Sequence, residues 1–320
     1  MNVYDFDGTI YNGDSTAHFI KYCALKYPKT LIYLPVTVWA FFLYILGVYS
    51  KTRFKEKMYG FLKYVPENAV DEFWKQNKKN IKSWYYDQQQ NDDIVISASP
   101  EFLIKPICSM IGIKTAMASV VDVHTGKYTG KNCHDIEKVD RLYKWNKNAK
   151  VNKFYSDSYA DTPLAEIAEE AYMVRGDKLY KWNEYEMSGA EKFRKMFLSR
   201  EFLMFVIVGV INTLCNMVLS LLYRMFIPDT TYAFIAGYIT SNILSYLMNS
   251  AVTFKERLSI IKYIKFFISY LPNFIIQTGI VYLFECFVHG PDIIAYALAA
   301  VIGVPVTFVF MKIFAFRKKK

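Results

Sequence analysis

The chain begins MNVYDFDGTI (residues 1–10), and the reading of this stretch decides the fold of the first half. VYDFDGT has the pattern of a short buried strand that ends in a turn, with Gly8 allowing the turn to be tight. Asp5 and Asp7 then stand at the carboxyl end of that strand, where open α/β sheets place their chemistry. Side chains at i and i+2 of an extended chain share a face, so both carboxylates are expected to point into one cleft.

Further strand ends follow. DDIVISASPEF (92–102) carries a continuous apolar strand, Ile94 to Ile96, that ends at Ser97. MASVVDVHTGKYTG (117–130) reads as two short strands forming a hairpin around Thr125-Gly126. CHDIEKVDRLYKW (133–145) is helix-like, with Lys138 in its first turns. KVNKFYSDSYADTPLAEIAEEA (150–171) reads as a strand into Asp157, a loop, and a helix starting near Asp161.

Four of these pieces, DFDGT, Ser97 of ISASP, Lys138 of NCHDIEKVDRL and SDSYAD, resemble motifs one to four of the haloacid dehalogenase superfamily. Their order is that of its phosphoserine-phosphatase-like branch, and the resemblance covers residues 1 to about 175. It implies a Rossmann-like α/β core with a helical cap inserted after motif one, at about 13–92. By the same resemblance Asp5 is a nucleophile that forms an acyl phosphate, and Asp7 protonates the leaving oxygen and then activates water. Mg²⁺ would be held by Asp5, the backbone carbonyl of Asp7 and Asp157, with Asp161 behind them. Ser97 and Lys138 would hold the phosphoryl oxygens, and Gly8 and Thr9 would belong to the phosphate-binding turn. The alternative readings are an N-cap of the following helix for Asp161, a turn residue for Ser97 and a solvated helix lysine for Lys138. DFDGTIYNGDSTAHFIKYC (5–23) also resembles a membrane-associated subset that includes bacterial phosphatidylglycerophosphate phosphatases. Ala98-Ser99 stands where phosphoserine phosphatases carry Gly-Gly, which disfavours that activity.

Composition adds a membrane. The 320 residues are 53% hydrophobic and 18% aromatic, with a formal net charge of +10. Lys and Arg cluster at the ends of apolar runs, the pattern of membrane loops rather than of a nucleic-acid surface, and no nucleic-acid-binding motif is present. The five cysteines are odd in number and lack metal-ligand spacing, so neither a disulfide frame nor a zinc site is expected. The N-terminus has no basic n-region and is not read as a signal peptide. Within the cap, TLIYLPVTVWAFFLYILGVY (30–49) is long enough to span a bilayer. A single crossing would separate Asp5 from the strand at Ile94, so the expectation is a re-entrant or in-plane element bent at Pro35 and Gly47. Lys26, Lys29, Lys51, Arg53 and Lys55 flank it and would face anionic headgroups. The alternative is an apolar helix of an ordinary soluble bundle.

Four spans are expected in the second half, at about 202–223, 232–254, 266–284 and 293–311, forming an all-α domain over 201–320. Lys192 to Arg200, Lys255 to Lys262 and Arg317 to Lys320 fall on one side, against Arg224 alone on the other. Both termini are therefore expected in the cytoplasm. FLMFVIVGVINTL (202–214), SYLMNSAVTF (245–254) and MKIFAF (311–316) resemble the GtrA-like family, which is linked to moving polyprenyl-phosphate-linked sugars across membranes. Asn212, Asn216, Asn242, Asn249, Asn273 and Gln277 lie at helical spacing, either as a headgroup path or as interhelical hydrogen-bond glue. Residues 176–200 would join the halves through an interfacial helix. The combined expectation is a Mg²⁺-dependent phosphatase acting at the cytoplasmic membrane on a lipid-linked phosphate, such as a polyprenyl-phospho-sugar phosphate. A phosphatidylglycerophosphate phosphatase with a membrane anchor, or a transporter with a sensing domain, are the alternatives. Homo-oligomerisation would run through the spans.

Overall fold

Val3 and Tyr4 are both fully buried, on opposite faces of a three-residue strand at the centre of the first half. In the computed structural model, which describes residues 1–288 and 292–316, that strand belongs to one of two units, Met1–Glu186, the other beginning at Met187. Six strands form one sheet: β1 (Asn2–Tyr4), β2 (Ile94–Pro100), β3 (Thr115–Ser119), β4 (Val151–Ser156), β5 (Ala168–Arg175) and β6 (Lys178–Lys181). Their order is β3-β2-β1-β4-β5-β6, parallel except for β6. The chain winds outward from β1 to β3, then returns to β4 on the other side of β1. The crevice between the carboxyl ends of β1 and β4 is thus the switch point where such sheets bind ligands.

The period-two alternation of side chains separates two cores. Tyr4, Val95, Tyr155 and Val174 pack on one face against the cap and the helix after β2. Val3, Ile94, Ile96, Phe154 and Met173 pack on the other with Leu142 and Leu164. Burial on both faces explains why the strands read as continuous apolar runs.

The insert after β1 is helical throughout: α1 (Ser15–Lys26), α2 (Leu34–Ile45), α3 (Lys51–Tyr59), α4 (Ala69–Asn77) and α5 (Ser83–Gln88). In the apolar run a 3₁₀ turn over Pro28–Tyr33 leads directly into α2, whose first turn holds Pro35, and the chain turns at Gly47, with φ +83°. Against the sheet lie α6 (Glu101–Met110), α7 (Ile136–Trp145) and α8 (Thr162–Ile167).

Two expectations change here. The hairpin at Thr125-Gly126 survives as a tight turn closed by Asp122, but it carries one isolated bridge, Val121 with Tyr128, and no second strand. The joining segment of 176–200 does not start at 176, because β6 pairs with β5 and extends the first unit to Glu186.

The second unit holds α9 (Gly189–Phe197), α10 (Arg200–Arg224), α11 (Thr230–Met248), α12 (Ile260–Ile268), α13 (Leu271–Phe287) and α14 (Asp292–Phe310). The short helix α9, capped reciprocally by Ser188 and Glu191, occupies the place of the expected interfacial helix. The expected span 266–284 is broken. Pro272 has no N–H and its ring clashes with the carbonyl four residues back, so α12 ends at Ile268 and α13 begins at Leu271. Among the described residues, Pro28–Ile45 and Arg200–Arg224 are long and apolar enough to cross a membrane. α11 and α14 each run into a π turn, Asn249–Thr253 and Met311–Ala315. These turns fall within SYLMNSAVTF and MKIFAF. Lys312 pairs with Glu201 at 2.5 Å, joining the end of α14 to the start of α10.

Candidate active site

Asp5 follows β1 directly, on the face that Val3 buries against α7 and α8, and that placement gives it its partners. Its Oδ1 accepts a hydrogen bond from Lys138 Nζ at 2.9 Å. The same ammonium donates to Asp161 Oδ2 at 2.8 Å, which also accepts from the Ser156 hydroxyl at 2.7 Å. Lys138 is 2% exposed, so it is neither solvated nor mobile. Asp161 occupies the N-cap position of α8 but makes no capping bond; its side chain serves Lys138 instead. Asp135, one turn before Lys138, is held at φ 59°, a strained conformation for a residue with a Cβ.

Asp7 is placed by different means. β1 ends at Tyr4, so the shared-face argument does not extend to Asp7, which the turn at Gly8 positions. Its Oδ1 accepts from the Ser15 backbone N–H at 2.6 Å, at the N-terminus of α1, and its Oδ2 accepts from the Ser99 hydroxyl. Ser99 contacts the Thr16 hydroxyl at 3.0 Å and donates its N–H to Ser97 Oγ at 3.1 Å. Ser99 was missed in the sequence, although its position two residues after Ser97 on an extended chain was the available signal. Register shifts between Ile96 and Pro100 and re-aims this pair, as irregularities beside active sites do. Tyr4 pairs with Val95 and with Tyr155, so Ser97 and Asp157 flank β1 at the same level.

Asp157 lies against Gly8. A Cβ on Gly8, which has φ +70°, would overlap the Asp157 carboxylate. Gly8 gives its N–H to the Gly13 carbonyl. Thr9, expected in a phosphate-binding role, is placed otherwise: it is fully buried and its hydroxyl accepts the Asp157 N–H at 3.0 Å. Both residues therefore tie motif one to motif four. Lys82, from the end of the cap, donates to the carbonyls of Gly8 at 2.6 Å and Gly176 at 2.7 Å. Arg175 holds the Asp157 carbonyl. Neither residue carried a signal in sequence, since both act on backbone atoms brought together only by the fold. Gly8→Ala should impose roughly 1–2 kcal/mol of backbone strain besides displacing Asp157. A lowered melting temperature, read in thermal melts, is expected.

Burial dominates the electrostatics. It pushes Asp5 up to about 8, Asp161 and Asp157 adding to the rise and Lys138 opposing it. Asp157 is raised for the same reason, with Arg175 opposing. Burial pushes Asp7 up to about 6, against the hydrogen bonds from Ser15 and Ser99. Burial lowers Lys138, but Asp5 and Asp161 outweigh it and hold the ammonium above its ordinary value. Two buried carboxylates, Asp5 and Asp161, share the one ammonium of Lys138, with Asp157 half-buried nearby; these are hard oxygen donors of the kind that fit a divalent cation such as Mg²⁺, although among the described residues no three acids are grouped as a ready-made metal cluster.

In the second unit, Asn242 and Asn249 are buried with Ser241, Ser245, Ser250 and Thr253. Asn249 donates to the Ser245 carbonyl at 3.0 Å, and Asn216 accepts from Ser220 at 3.3 Å. The Oδ1 atoms of Asn212, Asn242 and Asn249 are buried without a partner. The side chains of Asn273 and Gln277, and residues 317–320, lie outside the described residues.

Residues 3–166 match the family model of haloacid dehalogenase-like hydrolases, and residues 204–316 match the GtrA/DPMS transmembrane domain. A histidinol-phosphatase of Neisseria meningitidis serogroup C is 29% identical over 99 residues, 27% of this chain; the chain spans 45% of that relative's length. Among solved structures, a protein of unknown function from Bordetella pertussis is 20% identical with a TM-score of 0.42, covering 52% of this chain and 85% of that one. A phosphoserine phosphohydrolase-like protein from Francisella tularensis is 16% identical with a TM-score of 0.35, covering 53% and 86%.

Proposed function

The chain belongs to the haloacid dehalogenase-like hydrolases, and from that premise we propose that it is a phosphomonoesterase acting on a lipid-linked phosphate at the cytoplasmic face of a membrane. The observation that carries the reading is the division of labour between two neighbouring carboxylates. Asp5 is paired with a buried ammonium, and Asp7 is held apart by Ser15 and Ser99 with a pKa near 6.

In the first step Asp5 attacks phosphorus, the phosphorus–oxygen bond to the leaving group breaks, and Asp7 gives its proton to that oxygen. In the second step Asp7 takes a proton from water, whose oxygen attacks phosphorus and frees Asp5 and inorganic phosphate. Lys138 and the Ser97 hydroxyl stabilise the phosphoryl oxygens as charge develops. Mg²⁺ would be held by Asp5, the Asp7 carbonyl and Asp157, and when bound it supplies positive charge to the carboxylates and the phosphoryl group.

Asp5 must be ionised and Asp7 protonated at the start, so with Asp5 near 8 and Asp7 near 6 kcat/KM for glycerol phosphate should be level between those values and fall as pH rises above about 8, approaching tenfold per unit. With p-nitrophenyl phosphate, whose leaving group needs no proton, the decline should be shallower. Equal slopes for both would remove Asp7 from the acid role.

A lipid leaving group is supported by α2, which exposes Leu34, Val38, Trp39, Phe41 and Phe42 beside a cationic flank. We read it as docking the cap on the bilayer, with anionic headgroups around Lys51 and Arg53. Replacing Trp39 and Phe42 with Ser should lower kcat/KM for a micellar lipid phosphate about tenfold relative to glycerol phosphate, through lost apolar burial. An unchanged ratio between the two substrates would sink the docking reading.

The GtrA/DPMS domain supports a polyprenyl-phospho-sugar phosphate as substrate. The orphaned amide oxygens of Asn212, Asn242 and Asn249, with Asn216, Asn273 and Gln277, would then form a path for the headgroup of the product in cell-envelope glycan synthesis. The Glu201–Lys312 pair and the basic loops favour a multi-pass topology with both termini cytoplasmic.

A further inference from the structure

We propose that Lys82, which belongs to none of the four motifs, is a positioning residue of the phosphoryl transfer: its buried ammonium pins the turn that follows Asp7 and so fixes the aim of the acid at the leaving oxygen. The inference rests on the phosphatase reading and adds a residue to its machinery.

Two segments join the cap to the core, and they pair with each other. Asn12 gives its N–H to the Asn80 carbonyl and Lys82 gives its N–H to the Ile10 carbonyl, both at 2.9 Å, with Tyr11 facing Ile81 in an antiparallel bridge. Tyr11 and Ile81 are buried. Tyr11 is in turn tied to the chain leaving β1, its N–H bonding the Phe6 carbonyl at 2.9 Å. The backbone of Lys82 is therefore held beside the loop after β1 whatever its side chain does.

The side chain adds two bonds of its own. Nζ donates to the Gly8 carbonyl at 2.6 Å and to the Gly176 carbonyl at 2.7 Å, and the residue is 7% exposed. Among the described residues no carboxylate pairs with it. A buried ammonium without an acid is costly, so a side chain that only filled this space would be apolar. What the ammonium supplies is a donor to two carbonyls in turns that have no side chain of their own to hold them. Gly8 and Gly176 both have positive φ, +70° and +59°. Gly8 lies against the Asp157 carboxylate, and Gly176 follows Arg175, which holds the Asp157 carbonyl. Lys82 thus joins the turn of motif one to the turn between β5 and β6 that braces motif four.

Asp7 immediately precedes Gly8. Ser15 and Ser99 hold its carboxylate, but its backbone is set by the turn. Without Lys82 the Gly8 carbonyl loses its donor, and a displacement of about 1 Å in a reacting group can cost on the order of a hundredfold in rate. Asp5 is held separately, by Lys138. The loss should therefore fall on proton transfer from Asp7 more than on attack by Asp5.

The test measures kcat/KM for glycerol phosphate and for p-nitrophenyl phosphate, using full-length protein in detergent with Mg²⁺. This quantity covers the steps through departure of the leaving group, and nitrophenolate departs without a proton. Lys82→Met keeps an unbranched apolar stem and removes the donor. It should lower the value for glycerol phosphate at least about tenfold more than the value for p-nitrophenyl phosphate. Loss of folded protein lowers both alike and cancels in the ratio, so an unchanged ratio overturns the positioning role. Hydrogen exchange read on peptides needs no turnover. In Lys82→Met it should be faster over residues 8–12 and unchanged over β2. Unchanged exchange over 8–12, or faster exchange over β2 as well, overturns the role whatever the activity. If the wild type releases phosphate from neither substrate while exchange in the variant rises over 8–12 alone, Lys82 does hold the turn and the phosphatase reading is what fails.

Discussion

Asp5→Asn is expected to lower phosphate release by at least about a thousandfold on every phosphomonoester the protein turns over, while leaving the fold intact. An amide keeps the shape of the side chain but is too weak a nucleophile to form an acyl phosphate. Stability should not fall with activity. Asp5 is raised by burial, which means its ionised form is unfavourable in the folded protein without a cation. Lys138 retains its bond to Asp161 in the variant. Melting temperature in the absence of Mg²⁺ should therefore be unchanged or higher than wild type, a separation of function from stability expected of a strained active-site charge. A variant that lost activity by unfolding would show the opposite.

Lys138→Met is expected to lose both. It leaves Asp5 and Asp161 buried without their counter-charge, a change that costs about 3–5 kcal/mol. The loss should be smaller in acid. The folded value of Asp5 lies above its ordinary value near 4, so the native state holds the extra proton. Its contribution to stability therefore declines as pH rises from about 4 through about 8. Thermal melts across that range should show the variant approaching wild type at the low end. The double variant Lys138→Met/Asp5→Asn should be less destabilised than Lys138→Met alone, because one of the two uncompensated charges is gone. Additive losses would mean that the buried triad is not energetically coupled.

The parts of this chain that sequence reasoning reached are those where one residue type has one local reason. Ile94 to Ile96 read as a core strand because both faces are buried. Lys138 was placed in the first turn of a helix, and Asp157 at a strand end, where the structure has them. What was not reached depends on distant backbone. Thr9 looked like part of a phosphate turn, but its hydroxyl is used by Asp157, 148 residues away. Lys82 and Arg175 bond carbonyls that only the folded sheet brings near. Asp7 departed from the period-two argument because β1 is three residues long and the chain has already left the strand. The break between α12 and α13 was written in Pro272, whose effect on the helix outweighed the apolar run around it.

The central claim is that Asp5 carries the phosphoryl group of a lipid-linked phosphomonoester. The direct measurement is rapid acid quench of the full-length protein turning over polyprenyl-phospho-sugar phosphate or phosphatidylglycerophosphate in micelles, followed by peptide mapping. The account predicts a phosphoryl group on the N-terminal peptide at Asp5, absent from Asp5→Asn. Phosphate release at full rate with no label on Asp5, or with the label on another residue, would contradict it.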